Sequence, residues 1–208
     1  GPRRRKRHQG RKDFGSVVVV MFISTSHYIY REDASSPPLP PDSSEALKRR
    51  LTYIKFFGFV IIHPDTLKAI PTDKPIVSVG AGSGALERAL TTHKKADIVA
   101  TDSYTGEYSF SVGKHFPTEK LGASKAVDTY ASRRVLMSWP SYDATWPYNA
   151  LRKMHPAQEL VFIGEGKGGC TGDNRFHNYL AKRFDNLAHS IIPQWYGLHD
   201  YATVWRKQ

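Results

Sequence analysis

The chain has 208 residues, a formal net charge of +11 and a single cysteine. This length predicts one domain with a buried core and a short tail, and the charge indicates a polyanionic partner such as RNA or DNA. A lone cysteine excludes an internal disulfide, and the nine scattered histidines show no metal-site spacing. The longest apolar run, residues 17–23, is too short to span a membrane. We therefore expect an intracellular protein, cytoplasmic or nuclear, with no metal.

The positive charge is concentrated at the beginning of the chain. Seven basic side chains lie within the first twelve residues, which leaves about +4 for the remainder. We predict that they form a disordered arm that contacts nucleic-acid phosphates, and a solvated tail or a nuclear-import signal is the alternative. These side chains are Arg3, Arg4, Arg5, Lys6, Arg7, Arg11 and Lys12.

Two further segments precede the predicted domain. Residues 16–30 are rich in β-branched and aromatic side chains, and they predict either an added strand or an interface with a protein partner or a second copy of the chain. Residues 34–44 contain four prolines and predict a linker. We therefore assign residues 1–44 to the arm, the β-prone segment and the linker, and residues 45–208 to the folded domain.

Strands and helices alternate along the rest of the chain. The predicted helices cover residues 44–57, 85–93, 121–130, 144–154 and 173–184, with a short helix capped by Asp65. The predicted strands cover residues 76–79, 96–102, 134–139 and 159–164, with a short strand near the end of a loop at residues 104–117. This alternation predicts an α/β fold, doubly wound around a mostly parallel sheet.

The last two strands break the alternation. Residues 186–192 and 201–206 both have strand composition, and no helical pattern lies between them. Two consecutive strands joined without a helix pair most simply in antiparallel fashion. The chain is therefore predicted to end in a C-terminal antiparallel hairpin.

A glycine-rich turn joins the strand at residues 76–79 to the helix that follows. Gly80, Gly82 and Gly84 let the backbone turn sharply and leave room for a ligand near the helix N-terminus. About twenty residues later the next strand ends in Asp102, an arrangement that holds the ribose of a nucleoside. The turn also fits the dinucleotide pattern through Ala85, but the chain lacks a second such unit. A tight turn without a ligand is the remaining alternative.

Over about residues 45–206 the chain resembles class I S-adenosylmethionine-dependent methyltransferases. Residues 77–84 look like their first motif, which lies under the methionine part of the cofactor, and Asp102 looks like their ribose-binding acid. Residues 57–61, 136–142 and 162–173 are similar to a poorly characterised group of methyltransferase-like proteins. The resemblance implies a seven-stranded sheet and S-adenosyl-L-methionine as the cofactor.

The resemblance also implies a set of cofactor-binding residues, drawn from the glycine turn, the ends of neighbouring strands and an aromatic segment. They are Gly80, Ala81, Gly82, Ser83, Gly84, Asp102, Ser103, Phe57, Phe59 and Trp139.

Residues 138–142 resemble the signature of enzymes that methylate exocyclic amines of bases or the glutamine amide. In that signature a polar side chain and a proline-segment carbonyl accept the amine protons, and an aromatic ring stacks on the base. Ser138, Pro140 and Tyr142 are the candidates here. The group usually has Trp-Pro-Pro-Tyr, and Trp139 cannot accept a hydrogen bond. The alternative is that Trp139 and Tyr142 simply pack under the next helix.

A second glycine-rich loop, residues 164–172, precedes the last predicted helix. Glu165 is a candidate base or proton-binding group, and Lys167 a candidate phosphate contact. The alternative is a packing loop in which Thr171 or Asp173 caps the helix. Ribose methylation ranks below base methylation, because its usual late Glu is missing after Glu165.

These features together favour a methyltransferase that acts on nucleic acid, with RNA preferred and a base amine as the acceptor. A non-catalytic methyltransferase-like subunit that binds RNA or a protein partner is the first alternative. A protein methyltransferase is the second.

Overall fold

The computed structural model describes residues 29–30 and 42–208. Its main sheet contains seven strands, which are β2 (Ile76–Val79), β3 (Ile98–Asp102), β4 (Thr118–Lys120), β5 (Arg134–Ser138), β6 (Glu159–Gly164), β7 (Phe184–Ile191) and β9 (Tyr201–Lys207). The spatial order is β4-β3-β2-β5-β6-β9-β7. The first five strands in this order are parallel, and β9 pairs antiparallel with both β6 and β7. The predicted fold class and the terminal hairpin are confirmed.

Six helices accompany the sheet in the described residues. They are α1 (Ser43–Phe57), α2 (Pro64–Ala69), α3 (Ala85–Lys94), α4 (Ala123–Thr129), α5 (Trp146–Lys153) and α6 (Asn174–Arg183). A single turn of 3₁₀ helix at Ser109–Ser111 lies within the long loop after β3. None of these helices has the length and apolarity that a bilayer crossing requires.

The sheet is buried on both faces because neighbouring strand residues point in opposite directions. Ile76 and Leu136 pack with α1, α2 and α3 in one apolar cluster. Val77 and Met137, the next residues along the same strands, pack with α4, α5 and α6 in the other. The short apolar runs of the parallel strands therefore reflect coverage by helices on both sides.

The structure corrects two boundaries at the beginning of the domain. Helix α1 begins at Ser43, inside the segment predicted as linker, because the Asp42 side chain caps it by accepting from the Ser44 and Glu45 N–H groups. Helix α2 is capped by His63, whose ring nitrogen accepts from the Asp65 N–H, and not by Asp65 itself. The predicted N-cap, Asp65, lies two residues after the observed one. The sequence did not indicate His63, because histidine is an unusual N-cap residue.

A two-residue strand lies in the segment predicted as β-prone. Ile29–Tyr30 forms β1 and pairs antiparallel with β8, Gln194–Trp195, in a separate small sheet. Part of the segment is thus an added strand on the same chain. The basic arm, residues 16–28 and residues 34–41 lie outside the described residues.

Candidate active site

One cavity opens where β2, β3 and β5 end, at the carboxyl edge of the parallel sheet. Its volume is about 620 Å³, within the usual range for small-molecule sites. The loops after these three strands form most of its wall, and the end of α1 with the segment that follows closes one side. Ligands of doubly wound sheets bind at this edge.

The predicted cofactor residues converge on this cavity with one exception. Gly80, Ala81, Gly82, Ser83, Asp102, Ser103, Phe57, Phe59 and Trp139 all line it. Gly84 does not line it, and a glycine is needed at this position for close packing. The residue has φ +74°, and a Cβ there would lie 2.7 Å from the Phe116 Cβ.

The other two glycines of the turn face the ligand space in different ways. Gly82 has φ +55°, and an added Cβ would meet no atom within 4 Å. At Gly80, an added Cβ would lie 3.1 Å from the Trp146 ring of α5. The turn therefore leaves open space at Gly82 and close contact on either side of it.

The Asp102 carboxylate is already held in place by backbone donors. One oxygen accepts from the Gly82 N–H at 3.0 Å, and the other accepts from the Tyr104 N–H at 2.9 Å. A carboxylate has about four acceptor sites, so each oxygen retains capacity for a further donor. The side chain is therefore oriented in advance and still able to accept from ribose hydroxyls.

The charged side chains that the structure describes in the cavity wall are all acidic, although the chain as a whole is basic. Glu87, Asp102, Glu107 and Asp143 line it. Of the residues that the structure describes, no Lys, Arg or His belongs to the lining. Such a site favours a cationic ligand and disfavours the pyrophosphate of a dinucleotide.

Glu87 lies in the first turn of α3 and is 1% exposed. Its Oε1 accepts from the Ser78 hydroxyl at 2.6 Å, and its Oε2 has no hydrogen-bond partner among the described residues. Burial raises the pKa of this carboxyl to about 7, against the opposing hydrogen bond from Ser78. A buried acid with one idle oxygen needs an explanation, since such groups are costly.

An aromatic wall stands beside the acidic part of the cavity. The Phe59 and Trp139 rings are stacked with centroids 4.9 Å apart, and Tyr108 meets Phe59 edge-on at 5.5 Å. Phe110 continues the row, with its ring 6.3 Å from Tyr108 and 66% exposed. Flat apolar surfaces of this kind suit an aromatic ligand.

Trp139 is held rigidly at the end of β5. It has φ +50°, an uncommon value for a bulky residue. Its indole N–H donates to Asp200 Oδ2 at 3.0 Å, and the Arg50 guanidinium lies 5.5 Å from its ring centre. Asp200 is 2% exposed, and burial raises its pKa to about 7. Trp139 therefore contributes ring surface to the cavity, while its only polar atom faces Asp200.

The predicted acceptor residues are not brought together. Ser138 lines the cavity, but Pro140, Tyr142 and Glu165 do not. The Pro140 carbonyl accepts from the Gly172 N–H at 3.0 Å, and Tyr142 is 51% exposed. Lys167 is also outside the lining, and its ammonium donates to Asn178 at 2.8 Å.

Glu165 organises the loops around it. Its Oε2 accepts from the Cys170 N–H at 2.7 Å and its Oε1 from the His199 N–H at 2.9 Å. Burial opposes ionisation, but these two donors hold the pKa of Glu165 below its usual range. The second glycine loop closes through Asp173, which caps α6 by accepting from the Phe176 N–H at 2.8 Å. The packing alternative thus accounts for the contacts of this loop.

Several lining residues were missed by sequence reasoning. Glu87 and Asp143 carried no motif, and Tyr108 lies in a segment without clear periodicity. Trp146 lies in the helix predicted at residues 144–154 but was not assigned to the site. Of these four residues, only Glu87 could have been found from the sequence, because it is an acid within one helical turn of the glycine loop. Asp200 could not be found, because its contact with Trp139 joins residues 61 positions apart.

Comparison with known proteins agrees with the fold. No family model matches the chain, and no curated protein matches its sequence. A protein of the NADB-Rossmann superfamily from Streptococcus agalactiae aligns with a TM-score of 0.50 and 13% identity over 71% of this chain and 69% of that one. Together with the strand order, it shows that the chain has a Rossmann-like fold.

Two further structures align with lower TM-scores. TrmN from Thermus thermophilus gives a TM-score of 0.46 and 11% identity over 69% of this chain and 46% of that one. Human N-acetylserotonin methyltransferase, crystallised with SAM, gives 0.46 and 13% over 78% of this chain and 54% of that one. The chain spans about half the length of these two proteins.

Proposed function

We propose that this chain is an S-adenosylmethionine-dependent methyltransferase that acts on nucleic acid, with RNA preferred and a base amine as the acceptor. One observation carries the cofactor part of the proposal. Apart from Gly84, all the residues expected to bind the cofactor line a single cavity at the carboxyl edge of the sheet. The proposal concerns these 208 residues, whether or not they are part of a longer protein.

The charge of the cavity favours this cofactor over a dinucleotide. S-adenosylmethionine carries a sulfonium, an ammonium and one carboxylate group and is a net cation, whereas a dinucleotide brings a pyrophosphate and is a net anion. Four carboxylates and no described basic side chain line the site, so electrostatics favour the cationic ligand. Asp102, oriented by the Gly82 and Tyr104 N–H groups, would accept from the ribose hydroxyls.

The bound cofactor would supply an electrophilic methyl group, and the protein would contribute mainly position and electrostatics. The stacked Phe59 and Trp139 rings, with the Tyr108 ring edge-on to Phe59, offer aromatic surface in the same cavity wall. Ser138 provides a hydroxyl that lines the cavity. A base taken out of its strand fits a surface of this kind. Glu165 and Lys167 are left out of the proposed acceptor pocket because their polar atoms are bound elsewhere.

The lack of a hydrogen-bond acceptor in the Trp139 side chain favours a second candidate, a methyltransferase-like subunit that binds RNA without modifying it. No accepting side chain stands at this position, and its N–H is directed to Asp200. The Pro140 carbonyl, the other expected acceptor, already bonds to the Gly172 N–H. Within residues 138–140, an amine would find only the Ser138 hydroxyl and the second lone pair of that carbonyl to receive its protons.

Transfer of a radiolabelled methyl group separates the two candidates. The chain is incubated with labelled S-adenosylmethionine and with separate pools of RNA, DNA and protein. We expect label in RNA, and its loss in the variant Asp102→Asn. Asp128→Asn serves as the matched control, because Asp128 is a half-exposed side chain remote from the cavity. Cofactor binding without transfer to any pool supports the non-catalytic subunit instead.

A salt titration tests the contribution of the basic arm to RNA binding. Each phosphate that is neutralised on a single strand adds about 0.7 to the slope of log affinity against log salt concentration. Removal of residues 1–12 takes away seven positive charges, so the slope should flatten by up to about 5. An unchanged slope would show that the arm makes no phosphate contacts.

A further inference from the structure

Oε2 of Glu87 is a buried oxygen in the cavity wall without a hydrogen-bond partner among the described residues. Glu87 is buried, and Ser78 fixes one of its two carboxylate oxygens at 2.6 Å. The second oxygen has no hydrogen-bond partner in the described residues. Glu87 nevertheless forms part of the cavity wall. Oε2 itself is buried, so a donor that enters the cavity meets it after a small shift of the Glu87 side chain.

The surroundings of Glu87 contain no positive side chain that could pair with it from the cavity wall. The ionisable groups that share the lining are Asp102, Glu107, Asp143 and Tyr108, and the Asp102 charge acts against ionisation of Glu87. Among the described lining residues the missing partner is thus a cation, which a ligand has to provide. The first turn of α3 favours an anion at this position, in keeping with a carboxylate once its partner is present.

We propose that Glu87 binds the α-ammonium group of the cofactor through Oε2, while Ser78 holds Oε1. This inference rests on the proposed function and assigns one further residue to the cofactor site. The ammonium group is preferred to the sulfonium because it has three N–H donors, whereas a sulfonium has none to offer an acceptor oxygen. The methionine part is also the part expected above the glycine turn, where α3 begins.

The assignment makes cofactor binding depend on pH. Without ligand, the pKa of Glu87 is about 7, so the carboxyl is largely protonated at pH 6. A bound ammonium group favours the ionised form and lowers this pKa. Binding at pH 6 therefore releases close to one proton. The affinity rises as the pH increases through 7 and then levels off.

Calorimetry with S-adenosylhomocysteine tests the inference, because this ligand has the ammonium group and lacks the sulfonium. Titrations at pH 6 in two buffers of different ionisation enthalpy give the number of protons released. We expect close to one proton for the wild type and none for Glu87→Gln. At pH 8 the variant should bind about ten- to a hundredfold more weakly, the usual loss for a hydrogen bond to a charged group. Asp128→Asn, which removes a carboxylate outside the cavity lining, is the control and should bind as the wild type does.

Methylthioadenosine, which has no amino-acid part, shows whether the cavity of the variant is intact. We expect Glu87→Gln to bind it as the wild type does. Equal loss of both ligands, or unchanged binding and proton release with S-adenosylhomocysteine, would overturn the role of Glu87 and leave the proposed function standing. Wild-type protein that binds neither ligand would instead refute the proposed function.

Discussion

At the scale of single residues, Glu87 combines a cost in stability with the binding role proposed for it. Its carboxyl is fully buried, and burial raises the pKa from 4.5 to about 7. In the unfolded chain the group ionises near its ordinary pKa, so between about pH 4.5 and 7 the folded protein holds more protons than the unfolded one. Stability therefore falls as the pH rises through this window.

Replacement of Glu87 by Gln should stabilise the protein without ligand at pH 8. The amide has the shape of the carboxyl and no charge to desolvate. The free energy of unfolding should rise by up to about 3 kcal/mol at pH 8, and the gain should vanish near pH 4. Urea unfolding of both proteins across this pH range measures it. A variant that is less stable than the wild type at pH 8 would contradict the buried, uncompensated charge.

Some positions in the site follow from local sequence, whereas others depend on contacts between distant segments. Gly82 and Asp102 line the cavity because a local turn and a strand end dictate their positions, and the sequence predicted that they lie close together. Their role in cofactor binding stays a prediction. The surroundings of Trp139 were not predictable, because Asp200 and Phe59 reach it from distant segments. The contacts of Glu165 with Cys170 and His199 depend likewise on how two loops meet.

At the scale of elements, the strand–turn–helix unit of β2 and α3 sets the geometry of the site. Its three glycines have positive φ for different purposes. Gly84 lets the turn pack against Phe116, whereas Gly82 keeps space open toward the cavity. The helices and strands themselves were largely predictable from periodicity. The sequence did not decide between an added strand and an interface for residues 16–30, because the pairing of β1 with β8 depends on residues that are distant in the chain.

Alanine at these two glycines should separate folding from binding. Gly84→Ala places a methyl group 2.7 Å from the Phe116 Cβ and 3.0 Å from its backbone nitrogen, and we expect a loss of about 2–4 kcal/mol in stability. Gly82→Ala meets no atom within 4 Å and should cost only about 1 kcal/mol, but weaken S-adenosylhomocysteine binding. Urea unfolding and calorimetry give the two quantities. Equal losses of stability in both variants would refute this division of roles.

At the scale of the whole molecule, the two edges of the parallel sheet have different tasks. The carboxyl edge carries the cavity, and the amino edge carries an ion cluster around Arg134 and Glu159, at the starts of β5 and β6. Arg134 Nη2 lies 2.6 Å from a Glu159 oxygen, and Lys74 and Arg206 pair with the other oxygen. The cavity and this ion cluster therefore lie at opposite edges of the sheet.

Glu159→Gln should lower stability and leave ligand binding intact. The buried Arg134 loses one of its partners, and we expect a cost of about 3 kcal/mol at neutral pH. Burial opposes ionisation, but hydrogen bonds from Lys74, Arg134 and Arg206 lower the pKa of Glu159 to about 2. The wild-type advantage should therefore be complete above about pH 5 and disappear as the pH falls toward 2. Unfolding and S-adenosylhomocysteine titrations on one sample measure the stability and the ligand affinity of the variant. A large loss of affinity at unchanged stability would contradict the separation of the two edges.

The central claim is that this acidic cavity at the carboxyl edge of the sheet holds the cationic cofactor of a methyltransferase. Calorimetric titration of the wild-type chain with S-adenosylhomocysteine, and separately with NAD, tests it most directly. The account predicts one site for S-adenosylhomocysteine, with micromolar or tighter affinity, and no measurable binding of NAD. Absence of binding at millimolar S-adenosylhomocysteine, or tighter binding of NAD, would contradict it.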